Sequence, residues 1–191
     1  MRFEDGSTMR LYRQTVEDFG LFRGLELSDE EMDKLRNAAG AMSAKMRAVR
    51  IVSATGVSKM DLQRRLIQKG EDPDCARDAV AWMEELQLLD DRKTAEQIVH
   101  RCIAKGYGIA RAKQALYEKR IPKEYWDEVL QEYPDQSEYI LAFLNGKLCG
   151  NADEKTIRKA VDALMRRGHS YSVVKRCLNQ LSVVTDAFSE E

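Results

Sequence analysis

The sequence predicts an all-α fold: three tandem three-helix repeats in an elongated array, preceded by a small N-terminal extension. Residues that favour helices dominate the chain, and its 191 residues include only three prolines and five phenylalanines. A nine-residue pattern that begins at Leu62 returns at Ala112 and again at Ala160, in steps of 50 and 48 residues. A period in this range indicates helical repeats, and such repeats contact mainly their neighbours along the chain. We therefore expect an elongated array rather than a globular domain.

Residues 1–40 form the predicted N-terminal extension. Asp5-Gly6 is a strong turn signal for a hairpin, and Met9–Arg13 alternates apolar and polar residues as its second arm would. Further on, Ser28-Asp29-Glu30-Glu31 matches a capping box, in which the serine hydroxyl and the glutamate carboxylate each satisfy an amide at a helix start. The extension therefore predicts a short β-hairpin followed by a helix from about Asp29 to Ala39.

Residues 41–90 form the first predicted repeat. Its first helix spans about residues 41–55. Ser58 then caps a second helix, which stops at Gly70 because glycine adopts the left-handed conformation that ends helices. Asp72-Pro73 opens the third helix, since a proline at the first helical position loses no hydrogen bond.

Residues 91–134 form the second predicted repeat. Asp90-Asp91 lies where an N-cap is expected, because a short carboxylate can accept from the unpaired amides of a helix start. The helix that follows, at about residues 92–105, has one apolar face, and Gly106-Tyr107-Gly108 forms the turn after it. The residues of that apolar face are Ala95, Ile98, Val99, Cys102 and Ile103.

Residues 135–185 form the third predicted repeat, and residues 186–191 a polar tail. The first helix, at about residues 136–148, is separated from the middle helix by Gly150-Asn151-Ala152-Asp153. Helical spacing predicts one buried face for each of the last two helices. Those faces contain Ile157, Val161 and Leu164 in the middle helix, and Val173, Cys177 and Leu178 in the last.

Charge is segregated within the repeats, although the formal net charge is only −1. Residues 101–123 contain seven bases and one acid, whereas residues 124–138 contain six acids and no base. Residues 155–176 again contain seven bases and one acid. Surface helices often carry mixed charges for solubility alone. Segregation in phase with the repeat instead favours a basic ridge of middle helices and an acidic ridge of third helices, which suits a polyelectrolyte partner.

The basic ridge is the predicted binding surface. Tyr107 and Tyr171 lie beside turns, where we expect exposed aromatic contacts with the partner. The bases of the predicted surface are Arg64, Arg65, Lys69, Arg111, Lys113, Lys119, Arg120, Arg158, Lys159, Arg166 and Arg167.

No motif indicates catalysis, a metal or a cofactor. The two histidines, His100 and His169, have no Cys or carboxylate set at metal-ligand spacing, and the four cysteines lack the close pairs of a zinc or redox site. No apolar run approaches the roughly 18–20 residues of a membrane span, and no secretory signal is visible. We therefore expect no catalytic residues, no metal site, no cofactor and no membrane contact, with reduced cysteines and a cytoplasmic location.

Several short motifs resemble a known family when their order and spacing are taken together. The motifs are Leu66-x-x-Lys69-Gly70, Leu88-Leu89-Asp90-Asp91 with Ala95, Lys105-Gly106-Tyr107-Gly108, Leu116-x-x-Lys119-x-Ile121-Pro122 and Leu164-x-Arg166-Arg167-Gly168-His169-Ser170. Over about residues 48–182 the chain resembles the RecX family, which regulates the bacterial recombinase RecA. Arg120 departs from the family pattern, since it takes the place of the glycine that usually ends the middle helix.

The resemblance implies a non-enzymatic regulator built from three three-helix repeats. It implies binding in the groove of the RecA–DNA filament, inhibition of strand exchange and ATP hydrolysis, and a role in recombination and DNA repair. We expect the protein to be a monomer. It also implies weak, salt-dependent binding to single- or double-stranded DNA. The residues leave an alternative open, a helical DNA-binding module that acts without a recombinase.

Overall fold

A computed structural model describes residues 1–4, 6–148 and 153–187, the last six of them by their backbone alone. Within these ranges it contains ten α-helices and no strand, which confirms the all-α prediction. The helices are α1 (Arg13–Asp18), α2 (Asp29–Ala54), α3 (Lys59–Gln68), α4 (Pro73–Glu85), α5 (Asp91–Ala104), α6 (Ile109–Glu118), α7 (Trp126–Leu130), α8 (Ser137–Leu148), α9 (Glu154–Arg166) and α10 (Tyr171–Ala187). Asp5, Cys149, residues 150–152 of the predicted turn and residues 188–191 of the predicted tail lie outside the described residues.

The predicted N-terminal β-hairpin is wrong. The chain reverses near Gly6, where the amide of Phe3 donates to the carbonyl of Ser7 at 3.0 Å. Arg2 and Thr8 then form an isolated antiparallel bridge instead of a ladder. A two-stranded hairpin without a covering layer is marginal in water, so one bridge does not extend into strands.

The predicted helix break near Gly40 is also wrong, because α2 continues through this residue to Ala54. Glycine inside a helix costs roughly 0.5–1 kcal/mol relative to alanine. At this position a Cβ atom would lie 3.4 Å from the sulfur of Cys75, so the glycine lies where α2 packs against α4. The capping box at the start of α2 is present, and the amide of Ser28 donates to the carboxylate of Glu31 at 2.8 Å.

The described residues form two compact units, and the first comprises residues 1–91. Its core lies between the C-terminal half of α2, α3 and α4 and includes the fully buried Leu62, Leu66 and Met83. Truncating a buried leucine to alanine typically costs about 2–5 kcal/mol, so these side chains account for much of the stability of the first repeat.

Asp91 caps a different helix from the one predicted. It is the first residue of α5, but its buried carboxylate accepts a hydrogen bond of 2.8 Å from the amide of Lys59, the first residue of α3. Burial raises the pKa of Asp91 despite this hydrogen bond. The carboxylate therefore joins the last residue of the first unit to the start of α3.

The second unit begins at Arg92 and contains the second and third repeats. In the second repeat, α5 and α6 pack with a 3-10 turn at Lys123–Tyr125 and the five-residue helix α7. In the third repeat, α8, α9 and α10 surround Ile140, Leu144 and Leu164, which are fully buried. Three cysteines are free thiols: Cys75 on α4, Cys102 on α5 and Cys177 on α10. Burial raises the pKa of Cys75 and of Cys102.

The three middle helices end in the same backbone conformation. Gly70 and Gly168 follow α3 and α9 with φ +87°, and Arg120 follows α6 with φ +55°. Arg120 thus adopts the conformation that glycine has in the other two repeats, at a cost of about 1 kcal/mol.

None of the described helices is both long and apolar enough to cross a lipid bilayer.

Candidate functional site

Two of the predicted bases in α3 pair with one buried carboxylate. The guanidinium groups of Arg64 and Arg65 lie 2.9 and 2.8 Å from the oxygens of Asp61. Burial opposes ionisation of Asp61, but the hydrogen bonds from both arginines outweigh burial and lower its pKa. These two arginines therefore neutralise a charge in the core, whereas Lys69, at the end of α3, is exposed.

The bases of α6 and its C-terminal turn differ in exposure. Lys113 is exposed, whereas Arg111 is half-buried and donates to the carboxylate of Glu118 at 3.2 Å. Lys119, the C-cap residue of α6, is half-buried, and Arg120 is exposed. Lys113 and Arg120 are therefore the solvent-exposed bases of this segment.

The bases of α9 are exposed with one exception. Arg158, Lys159 and Arg166 face solvent as predicted. Arg167, predicted to face solvent with them, is half-buried and donates to the hydroxyl of Tyr139 on α8. Its guanidinium carbon also lies 5.1 Å from the ring centre of Phe143, within the range of a cation–π contact. Arg167 therefore stabilises the packing of the third repeat.

The two tyrosines proposed as exposed contacts have different environments. Tyr107 is half-buried against the core of the second repeat, and its carbonyl accepts from the hydroxyl of Tyr133 at 2.6 Å. Burial raises the pKa of Tyr133 to about 12. Tyr107 therefore packs where the sequence predicted an exposed side chain. Tyr171, the first residue of α10, is 57% exposed.

The middle helices of the second and third repeats meet head to tail. The amide of Gly108, the N-cap of α6, donates to the carbonyl of Arg167 at 2.9 Å, and the amide of Ala110 donates to the carbonyl of Gly168 at 3.3 Å. The carbonyls that follow α9 thus satisfy amides at the start of α6, where Gly108 has no side chain to cap them. The negative, C-terminal end of the α9 dipole also meets the positive, N-terminal end of the α6 dipole.

Glycine permits this junction on both sides. A Cβ atom on Gly108 would lie 2.1 Å from the carbonyl oxygen of Gly168, and a Cβ atom on Gly168 would lie 2.3 Å from the amide nitrogen of Arg111. A side chain fits at neither position without moving the backbone. The exposed bases of α9 and α6 therefore lie on two helices that hydrogen bonds join end to end.

His169 is buried in the same junction. Its Nε2 lies 3.0 Å from the carbonyl oxygen of Gly106, and because a carbonyl only accepts, Nε2 carries the proton. The ring stacks on Tyr139 with 6.0 Å between the ring centres. Burial lowers the pKa of His169; the Gly106 carbonyl opposes this shift and the charge of Arg167 adds to it.

The junction is expected to weaken in acid. The pKa of His169 is near 6.5 in the unfolded chain and lower in the folded protein, so between these two values the unfolded chain binds more protons. The contribution of His169 to stability is therefore complete above about pH 6.5 and decreases as the pH falls below 6.5. Each unit of pKa lowering corresponds to about 1.4 kcal/mol. The protection factor of the Ala110 amide, which compares its exchange rate with that of an unstructured amide at the same pH, measures this loss of stability between pH 7.5 and 5.5. His169→Gln should remove the pH dependence and His100→Gln, at an exposed site, should retain it; the reverse pattern would refute the assignment.

The side chains that this surface exposes are mainly charged. Among the described residues, no three His, Cys, Asp or Glu side chains form a group that could hold a metal ion. Acids predominate among the exposed charges of α4, and bases predominate among those of α6 and its C-terminal turn. Such a surface attracts and orients a charged partner.

One exposed aromatic residue of the middle helices was not predicted from the sequence. Tyr117, on α6, is 72% exposed, although it directly follows the fully buried Leu116. Aligning the three repeats would have indicated it, because Ile67 and Met165 hold the same position after Leu66 and Leu164 and are also exposed.

Comparison with known proteins identifies the family of this fold. A family model described as the second three-helix domain of RecX matches residues 90–130. The regulatory protein RecX of Ralstonia pickettii is 30% identical over 139 residues, which cover 72% of this chain and 87% of that protein. The regulatory protein RecX of Clostridioides difficile is 26% identical over 184 residues, which cover 93% and 86%.

The fold matches as well. A crystal structure of a regulatory protein RecX superimposes with a TM-score of 0.68 at 18% identity, covering 93% of this chain and 91% of that one. The identity to the Ralstonia protein, the family model and this fold agree with the motifs of the sequence. The chain belongs to the RecX family of regulatory proteins.

Proposed function

We propose that this protein is a monomer that binds the RecA–DNA filament in the cytoplasm and lowers its strand exchange and ATP hydrolysis. The observation that carries this proposal is the set of exposed bases on two helices that are joined head to tail. A filament that contains DNA is a polyanion, and a basic surface raises the rate at which such a partner associates. The bases are Arg158, Lys159 and Arg166 on α9 and Lys113 on α6.

Regulation in this proposal results from binding and not from a chemical step. Binding energy alone can shift a filament between active and inactive states if the protein contacts one state better than the other. The proposal therefore requires the protein in amounts comparable to the sites that it occupies, because nothing is turned over.

The test is the DNA-dependent ATPase and strand-exchange activity of RecA with and without the protein. We expect both activities to fall in proportion to the protein added and to approach a plateau near saturation. An unchanged ATPase at stoichiometric ratios, together with retained DNA binding, would contradict the proposal and favour a DNA-binding module that acts without a recombinase.

Binding to free single-stranded DNA is expected to weaken steeply as salt rises. If the exposed bases neutralise about four phosphates, the slope of log affinity against log salt is near −3. Fluorescence anisotropy between about 50 and 200 mM salt measures this slope. Lys113→Gln should reduce its magnitude by roughly 0.7, which is one phosphate contact. A flat salt response would mean that these bases do not meet phosphates.

A further inference from the structure

One large apolar side chain is exposed at the same position of every middle helix. Ile67, Tyr117 and Met165 are 41%, 72% and 41% exposed, and each directly follows a fully buried leucine. Single exposed apolar residues are ordinary on protein surfaces. An exposed apolar residue at the same position of all three repeats is less ordinary than a single one, because a polar residue at that position would not disturb the core of the repeat.

Exposed bases accompany these three side chains. Lys69 follows Ile67 by two residues, Arg166 directly follows Met165, and Lys113 lies one helical turn before Tyr117. The partner that fits such a surface therefore carries negative charge around apolar contact points.

The residue types indicate a protein partner. An unpaired nucleic-acid base stacks on an aromatic ring, which only Tyr117 among the three provides. Isoleucine, tyrosine and methionine share apolar bulk, and tyrosine and methionine are enriched in the cores of protein interfaces, where a few such side chains fill pockets. Three equivalent side chains also suit a partner that presents equivalent pockets, as a polymer of identical subunits does.

We propose that Ile67, Tyr117 and Met165 are apolar anchors that insert into pockets on an acidic protein surface, repeated along a polymer of identical subunits. This inference rests on the proposed function and deepens it. It assigns the C-terminal ends of the middle helices to the protein subunits of the filament. Tyr117 is the strongest anchor, because it has the largest exposed fraction of the three.

The test compares Tyr117→Ala with Phe22→Ala. Phe22 lies between α1 and α2, outside the middle helices, and is 64% exposed, so it matches Tyr117 in exposure and aromatic character. Co-sedimentation with RecA filaments on single-stranded DNA measures filament binding, and anisotropy on the same DNA without RecA measures DNA binding. We expect Tyr117→Ala to weaken filament binding at least about tenfold and DNA binding less than about twofold. Phe22→Ala should change neither.

A second substitution separates apolar bulk from stacking. Tyr117→Met places at this position the residue that the third repeat already has and should retain most of the filament binding. Circular dichroism should show all three variants folded. Alanine and methionine at residue 117 favour a helix at least as well as tyrosine does, and Phe22 is exposed.

Each outcome identifies the idea that fails. If the wild-type protein does not co-sediment with filaments, the proposed function fails. If it does and Tyr117→Ala binds equally well, the anchors are refuted while the proposed function stands. If Tyr117→Ala weakens binding to free DNA as much as to filaments, or if Tyr117→Met binds as poorly as Tyr117→Ala, the tyrosine stacks on bases and the protein anchor is refuted.

Discussion

Replacing Gly168 with alanine is expected to destabilise the second unit by about 2–4 kcal/mol more than Gly70→Ala destabilises the first. Both glycines follow a middle helix with φ +87°, so both substitutions carry the same left-handed strain. A Cβ atom on Gly70 would enter open space, whereas one on Gly168 would lie 2.3 Å from the amide nitrogen of Arg111. The difference between the variants therefore isolates the cost of opening the junction.

Hydrogen exchange measures this difference locally. In Gly168→Ala, the amides of Gly108 and Ala110 should lose protection, because they donate to the carbonyls of Arg167 and Gly168. In Gly70→Ala, the same two amides should exchange as in the wild-type protein. Equal losses of stability in the two variants would show that backbone strain alone explains the effect and that the head-to-tail contact contributes little.

The double reversal Arg158→Glu with Arg166→Glu is expected to fold normally and to lose most binding to the RecA–DNA filament. Both side chains are exposed on α9, so their reversal should change folding stability by less than about 0.5 kcal/mol. The reversal removes attraction to an anionic partner and adds repulsion, which should weaken binding by at least about tenfold. Circular dichroism checks the fold, and co-sedimentation with filaments measures binding.

Two control variants, one on α9 and one on α4, accompany this double reversal. Asp162→Lys, at an exposed position of the same helix, should maintain or strengthen binding because it adds a base to the surface. Glu84→Lys with Glu85→Lys, on the acidic helix α4, should weaken contact with DNA less than the reversal on α9 does. A folded α9 reversal that still co-sediments like the wild-type protein would refute the assignment of this surface.

Local signals in the sequence were sufficient for most helix boundaries. Ser28, Ser58 and Asp72 each accept a hydrogen bond from an amide two or three residues later, so their effect on a helix start is complete within one turn. The repeat period also predicted where Gly70 and Gly168 end their helices. Arg120 adopts the same left-handed conformation, and the amide of Ile121 after it donates to the carbonyl of Leu116 at 3.0 Å.

The errors arose where distant residues compete with local preference. Gly40 indicated a break, but contact with α4 keeps α2 continuous. Arg167 and Tyr107 were predicted to be exposed from their positions along the chain. The contacts that bury them come from Tyr139 and Tyr133, which lie 28 and 26 residues away.

The sequence predicted where the bases of the candidate surface lie along the chain, but not which of them are exposed to solvent. The sequence alone determined the all-α class, the three repeats, the family resemblance and the segregation of bases onto middle helices, because these depend on periodicity and composition. Only the tertiary structure decided that Arg167 has a partner on another helix, and that Asp61, which pairs with Arg64 and Arg65 on the same helix, is buried. It also decided that α9 caps α6 through Gly108 and Gly168. Hydrogen bonds and ion pairs between residues far apart in the chain depend on distances that only folding sets.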